Sequence, residues 1–397
     1  MRTVHSEFVV FEQLKDLKSL LTQGPPCLSV YMPFSHASEE GNNLNAKQNN
    51  LRWRECLRLL DEGGDHFGEE GAELVRSVSE WDALSVAVGD KESGKAKSIA
   101  VFRSPDTCQV AFLESEVQQK VTLGPHFHIR PLLSEVVRDR TFYLLALSQK
   151  NSRLLRCTPH SSEEVTLPES VKSDFEVWMN QAKPDHTAVY NAMSSSAQGT
   201  SGPNALAPKG SDREGKDEYL SHYFKQIDRG VNEVLKGQTE PLVLCGVEYE
   251  LPIYRDVNTY PHVAAEAVRG APNGLKASEI LARAIQALEV GYEKKVDEVL
   301  ADWNHRVGGG ASSRIKEIVT AAHEGRVLTL VLSDSQEQIG LFDEATHRVK
   351  GRKTGSRQDE DLVNDAAVQT ILHAGNVLVA PRSKMPNGAP AAAIFRY

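Results

Sequence analysis

The chain of 397 residues has no apolar run approaching the ~20 residues needed to cross a bilayer, so no part of it reads as a membrane span. Its five cysteines, Cys27, Cys56, Cys108, Cys157 and Cys245, are odd in number, scattered, and form no CxxC pair. That pattern argues against a disulfide frame or a thiolate zinc site and predicts reduced, mostly buried thiols. The opening MRTVHSEFVVFEQLKDLKSLL carries charges where a secretory signal has an apolar centre, and the expected location is cytoplasmic. Catalytic signatures are missing as well: there is no Walker loop, no GxGxxG after a strand, no GxSxG elbow and no HExxH. With 45 Lys and Arg against 54 Asp and Glu, the net charge of −9 gives no positive surplus for coating nucleic acid, DNA included. Local basic patches remain open.

What the chain does have is an alternation of helical and strand periodicities in three stretches, predicted as domains over residues 1–137, 138–272 and 273–397. In the first, CLSVYMP reads as a buried strand stopped by proline, and NAKQNNLRWRECLRLLDE as a helix with Leu51, Cys56, Leu59 and Leu60 on one side. SIAVFRS and CQVAFLES form a predicted hairpin around PDT. In the second, TFYLLALSQKNSRLLRCT is a hairpin with Gln149–Asn151 at its turn, and TAVYNA (187–192) reads as a short strand. A helix over 217–235 carries Leu220, Tyr223, Phe224, Ile227, Val231 and Val234 as one apolar stripe, and PLVLCGV follows as a buried strand. In the third, a long helix from Ser278 ends at VGGGASS. A helix over 315–323, the strand VLTLVLSD, a helix over 360–373 capped by Gly375, and the strands NVLVAP and AAAIFRY complete a small α/β sandwich. The class is therefore α/β, with mixed sheets and helices packed against them.

Candidate chemistry is sparse. His126 and His128 in HFHIR share one face of a strand, but no neighbouring Cys or acid completes a metal set, so they read as structural or surface residues. VGGGA over 307–311 has no strand before it and no Lys-Ser/Thr after it, and reads as a link between helices. QDEDLVND is an acidic run at a helix start, where carboxylates offset the macrodipole. Neither a metal nor a cofactor is expected. There remains SSSAQGTSGPNALAPKGSDREGK over 194–216, too polar and too long for an ordinary connection. It is either a surface insertion or a loop that offers backbone amides and one glutamine to a partner. Lys209, Arg213 and Lys216 at its far end are suited to phosphates. A glutamine has no acid–base role near neutrality and acts only by orienting water or by hydrogen bonding.

The stretches FYLLALSQKNSRLLRC and YFKQIDRGVNEVLKGQTEPLVLCGVEYELPIYRDVNTYPHV, with the closing DEDLVNDAAVQTILHAGNVLVAP and GAPAAAIFRY, resemble the bacterial members of the archaeo-eukaryotic release factor family. These are relatives of Pelota and of the class-one termination factor of archaea and eukaryotes. The resemblance implies an RNase H-like middle domain carrying the exposed loop, and a C-terminal α/β/α sandwich resembling a ribosomal kink-turn-binding protein. It implies a ribosome-associated factor that docks in the A site like a tRNA, in contact with ribosomal RNA; peptidyl-tRNA as a further partner, and delivery by a translational GTPase, stay open at this point. In the release factors a Gly-Gly-Gln loop in this position orients the water that hydrolyses peptidyl-tRNA; here Ala197-Gln198-Gly199 stands instead, and no Asn-Ile-Lys-Ser codon-reading motif is present. Two readings stay open: a non-catalytic factor in stalled-ribosome rescue or hibernation, or a peptidyl-tRNA hydrolase in which Gln198 and Gly199 are the catalytic pair.

Composition alone makes one statement testable. The Gly, Ser, Pro and Asn residues of 194–216 bury too little to offset the entropy of ordering. Limited proteolysis is expected to cut inside this segment first while the flanking regions survive, and resistance there would show that the segment packs.

Overall fold

The computed structural model describes residues 7–9, 11, 14–35, 42–61, 68–79, 96–138, 141–159, 161–181, 211–343, 346–351 and 360–397. In chain order, β1 (Glu7–Phe8), α1 (Lys18–Leu21), β2 (Cys27–Pro33), α2 (Asn42–Asp61), α3 (Gly68–Ser79), β3 (Ser98–Arg103), β4 (Cys108–Leu113), β5 (Lys120–Gly124) and α4 (Arg130–Val136) come first. They are followed by β6 (Phe142–Ala146), β7 (Arg153–Cys157), β8 (Ser162–Val165), α5 (Phe175–Gln181), α6 (Ser211–Val234), β9 (Leu242–Gly246), α7 (Glu250–Val257) and β10 (Val263–Arg269). Next come α8 (Ala277–Arg306), β11 (Ala311–Ser312), α9 (Ile315–His323), β12 (Val327–Ser333), β13 (Ile339–Asp343) and β14 (Arg348–Gly351). The chain closes with β15 (Glu360–Asp361), α10 (Leu362–Leu372), β16 (Asn376–Ala380) and β17 (Ala391–Phe395). The fold is mixed α/β. Residues 139–293 form one compact unit; residues 1–138 and 294–397 together form the other, and the division falls inside α8. Among the described residues no helix is long and apolar enough to cross a membrane.

The unit of residues 139–293 is built on a sheet in the order β10-β9-β6-β7-β8. The predicted hairpin is present, pairing Phe142 with Cys157 through to Ala146 with Arg153. On its other side β6 runs parallel to β9, and β9 runs parallel to β10. Successive strand residues face opposite ways, so Leu145, Leu154 and Leu244 pack under Leu220, Tyr223, Phe224, Ile227 and Val231 of α6. Phe142, Leu144, Val243 and Cys245 face Ile280 and Ala284 of α8 instead. Burial on both faces explains why β9 is apolar throughout rather than alternating. The α6 stripe is as read from the sequence, but the helix starts at Ser211, so the end of the supposed loop is helical. The predicted strand TAVYNA lies outside the described residues.

The second unit joins both ends of the chain. Its N-terminal sheet has the order β1-β4-β3-β2-β5, with the predicted β3–β4 hairpin pairing Arg103 with Cys108. Its C-terminal sheet is ordered β11-β17-β12-β16, with β12 parallel to β16 and antiparallel to β17; α9 and α10 pack on each other and on this sheet. A small sheet, β14-β13-β15, was not anticipated from the sequence. Nor was the inner face of α2 read correctly. Asn49, Trp53 and Cys56 turn inward, while Leu51 is 64% and Leu59 41% exposed. Spacing i, i+4, i+7 puts the first three on one stripe, and the Asn49 amide is satisfied there by both backbone groups of Ser35.

One apolar cluster runs through both pieces, from Leu20, Phe102 and Ile129 to Leu330, Val363 and Ala393. A polar seam fastens them. Asn364 Oδ1 accepts from the Ile129 N–H at 2.8 Å and Asn364 Nδ2 donates to the Phe127 carbonyl at 3.0 Å. Arg130 donates to Asp361 Oδ2 at 2.6 Å and to the Ser333 carbonyl at 3.0 Å. Asp361 is also the N-cap of α10, accepting from the Val363 N–H.

The C-terminus of α10 differs from expectation by one position. Gly375 N–H bonds back to Thr370 O at 2.8 Å and Ala374 N–H to Ile371 O at 3.0 Å, a Schellman pair. The left-handed residue is Ala374, with φ of 55°, not Gly375. Glycine is needed at 375 for space, since a Cβ there would meet Thr370 Cγ2 at 2.6 Å and Val327 O at 2.9 Å. Gly375→Ala is expected to cost about 1–3 kcal/mol through overpacking. Ala374→Gly is expected to gain about 0.5–1 kcal/mol by relieving the left-handed alanine. Urea midpoints of the two variants measure both, and equal midpoints would refute the assignment.

Candidate functional site

The residues singled out by sequence divide sharply. Gln198, Gly199 and Lys209 lie outside the described residues; Arg213 and Lys216 lie on α6, near its start. What the structure defines is the seat from which the intervening segment departs and returns. Phe175 and Trp178 of α5 pack edge-on against Tyr223 of α6, with ring centroids 5.3 and 5.9 Å away. The buried Tyr223 hydroxyl donates to the Ser173 carbonyl and lies 3.1 Å from Ser152 Oγ, and Ser152 Oγ in turn donates to the Ser148 carbonyl. Burial pushes the phenol up to about 12, so it stays protonated and acts as a donor.

These groups sit at the carboxyl ends of the parallel strands β6 and β9, where open α/β sheets offer their ligand sites. A second cluster lies at the same end. Gln149 Nε2 donates to Tyr249 Oη at 2.6 Å and to Glu250 Oε1 at 2.9 Å, and Tyr249 Oη donates to the same carboxylate at 3.1 Å. Asn273 Nδ2 reaches Ser148 Oγ at 3.1 Å. Burial and then the Glu250 charge raise the Tyr249 phenol; Asp217 of α6 acts on it in the same direction. Asp217, on the helix that carries Arg213 and Lys216, is thus within electrostatic range of Tyr249. Gly246 fits here because a Cβ would meet Leu147 Cβ at 3.2 Å. Chemically the cluster offers an amide, a phenol and a carboxylate already tied to one another. It is suited to hydrogen bonding rather than proton transfer. Gln149 was placed in a turn by the sequence, but its partners, a hundred residues downstream, had no local signal.

Metal-ligating groups gather elsewhere, in the unit of residues 1–138 and 294–397. His126, Glu360 and Asp365 form one set, and His128, Glu337 and Asp361 another. In the second set Asp361 is already paired with Arg130, and Glu337 with Lys120. Burial, with Lys120 and Arg130 adding, holds the His128 imidazole well below its ordinary value. That set is satisfied by protein cations. In the first set burial raises the Glu360 carboxyl, Asp365 raises it further, and His126 opposes.

Residues 141–326, from β6 to the end of α9, match the profile of bacterial archaeo-eukaryotic release factor family 3. This segment, a little under half of the chain, is thus similar to the bacterial archaeo-eukaryotic release factors. The family 3 segment contains the whole loop seat and the 182–210 stretch that it carries. Among solved structures, the chain is similar to Dom34 of S. cerevisiae, a translation termination-like factor that interacts with Hbs1, with 10% identity, 98% of this chain and 94% of that one covered, and a TM-score of 0.37. It is similar to archaeal Pelota, from a structure of ribosome-bound Pelota and ABCE1, with 14% identity, 76% and 77% covered, and a TM-score of 0.36. An archaeal translation termination factor matches at 14% identity over 98% and 99%, with a TM-score of 0.22. None of the curated proteins matches.

All five thiols are buried. Desolvation pushes Cys27, Cys56 and Cys157 up to about 12 and Cys245 to about 11, and raises Cys108 against the pull of Arg103. A thiolate nucleophile is therefore not available in the native fold. Ellman's reagent at mildly alkaline pH should find essentially none of the five thiols in the native protein and all of them after unfolding. A rapid native equivalent would point to an exposed, activated cysteine.

Proposed function

We propose that the protein is a ribosome-associated translation factor that acts in stalled-ribosome rescue or hibernation by occupying the A site like a tRNA. The observation that carries this reading is the match of residues 141–326 to a family named for release factors. The loop seat supports it. Residues 182–210, which hold the polar run read from the sequence, lie in the chain between α5 and α6, and these two helices pack on each other through Tyr223 in the same unit as a cluster of hydrogen-bonding groups. In this reading Lys209, Arg213 and Lys216 contact ribosomal RNA phosphates, Gln198 and Gly199 lie closest to peptidyl-tRNA, and a translational GTPase is the delivering partner. The net charge of −9 requires such contacts to be local, hence few and salt-sensitive.

Co-sedimentation with ribosomes across a salt series tests it. Wild-type protein is expected to bind, and Lys209→Glu, Arg213→Glu and Lys216→Glu together to weaken binding and reduce the salt slope by roughly 2–3. Gln198→Ala is expected to bind like wild type, with neither protein releasing nascent peptide. Peptide release by the wild type that falls roughly 10²–10³-fold in Gln198→Ala would replace this reading with a water-positioning hydrolase. Failure of the wild type to sediment with ribosomes would overturn both.

A further inference from the structure

The turn before α4 carries His126, and the β15–α10 junction carries Glu360 and Asp365. The two meet inside the unit formed by residues 1–138 and 294–397. His126 Nδ1 stands 3.6 Å from Glu360 Oε2, and ligand atoms of His126, Glu360 and Asp365 all lie within 4.8 Å of one another. Ligand atoms at ~2.0–2.2 Å from a tetrahedral zinc ion are roughly 3.4 Å apart. Small rotations of these side chains close them on one ion. We propose that His126, Glu360 and Asp365 bind a divalent cation of the zinc class.

Three observations carry the assignment. The first is charge. The Asp365 side chain is 0% and that of Glu360 17% exposed, and among the described residues no lysine or arginine pairs with either. Two buried carboxylates side by side are costly without a cation. The neighbouring set shows the contrast, since its Asp361 and Glu337 are met by Arg130 and Lys120. The second is ligand type. One imidazole nitrogen with two carboxylate oxygens suits zinc and its first-row neighbours, whereas magnesium and calcium prefer oxygen-only shells. The third is support and access. His323 Nε2 lies 2.9 and 3.1 Å from the two Asp365 oxygens, and its ring is stacked on Phe342 at 3.9 Å, so the carboxylate is oriented from behind. The His126 side chain keeps 24% exposure, so the cluster lies just under the surface rather than deep in the core. His323 is a positioning residue in this scheme, not a ligand.

The test uses the full chain, stripped with chelator and dialysed against zinc, with metal content and zinc-dependent thermal shift as readouts. One zinc per chain is expected in the wild type and in Glu337→Gln, and none in His126→Ala or Glu360→Gln. His323→Ala should weaken binding about 10–100-fold. Magnesium should give no shift. Glu360→Gln is nearly isosteric, and its zinc-free unfolding midpoint, compared with that of the wild type, separates loss of a ligand from loss of the fold. Cobalt substitution supplies a readout on the wild type alone: visible bands without sulfur charge transfer support the site, and thiolate bands would move the ion to cysteine and overturn it. Absence of zinc and of any thermal shift in the wild type would equally overturn it, leaving the four side chains as two histidine–carboxylate pairs.

Discussion

The amide of Asn364 bridges Phe127 and Ile129, closing hydrogen bonds between parts of the chain more than two hundred residues apart. Its burial, with Asn364 4% exposed, gives the bond pair its weight. A buried N–H or carbonyl left without a partner costs about 1–3 kcal/mol, and Asn364 satisfies one of each. Arg130 and Asp361 add a charged clamp beside it, with side chains only 9% and 4% exposed. The apolar cluster from Phe11 to Ala393 is continuous because this seam holds the turn before α4 against the start of α10. The register of that contact also sets where His126 meets Glu360 and Asp365.

The unit of residues 139–293 obeys a different constraint. Its central strands are covered on both faces, so the polar groups accumulate at the sheet's end rather than along its sides. Ser148, Ser152 and Asn273 are linked at that end to one another and to the Tyr223 hydroxyl, and Gln149 to Tyr249 and Glu250. Phe175 and Trp178 of α5 reach that end through aromatic contacts with Tyr223 of α6.

Local signals made much of this legible. The β3–β4 and β6–β7 hairpins announced themselves by turn residues between apolar runs, and the α6 stripe by its spacing. The α2 face was misread because counting leucines ignored that a tryptophan, and an asparagine able to satisfy Ser35, bury better in that position. Strands of two residues such as β1 and β15 carry no periodicity at all, and exist because a neighbour supplies their hydrogen bonds. Gly375 was noticed as a cap, but the need for it is steric, imposed by Thr370 and Val327. HFHIR and QDEDLVND were each read alone as unremarkable. Their meaning lies in adjacency, which no spacing rule conveys across that much chain.

The discontinuity of the larger unit has a consequence for biosynthesis. Residues 139–293 have their partners in place once they are made, whereas the piece ending at Arg138 waits for residues 294–397. Until Asn364 emerges, the Phe127 carbonyl and Ile129 N–H lack their native partner, and Leu132 and Leu133 lack much of the core they bury in. The entropy of closing so long a loop grows only logarithmically, so the delay is mainly one of order rather than of cost. The piece that ends at Arg138 therefore completes its core only after residues 294–397 have been made.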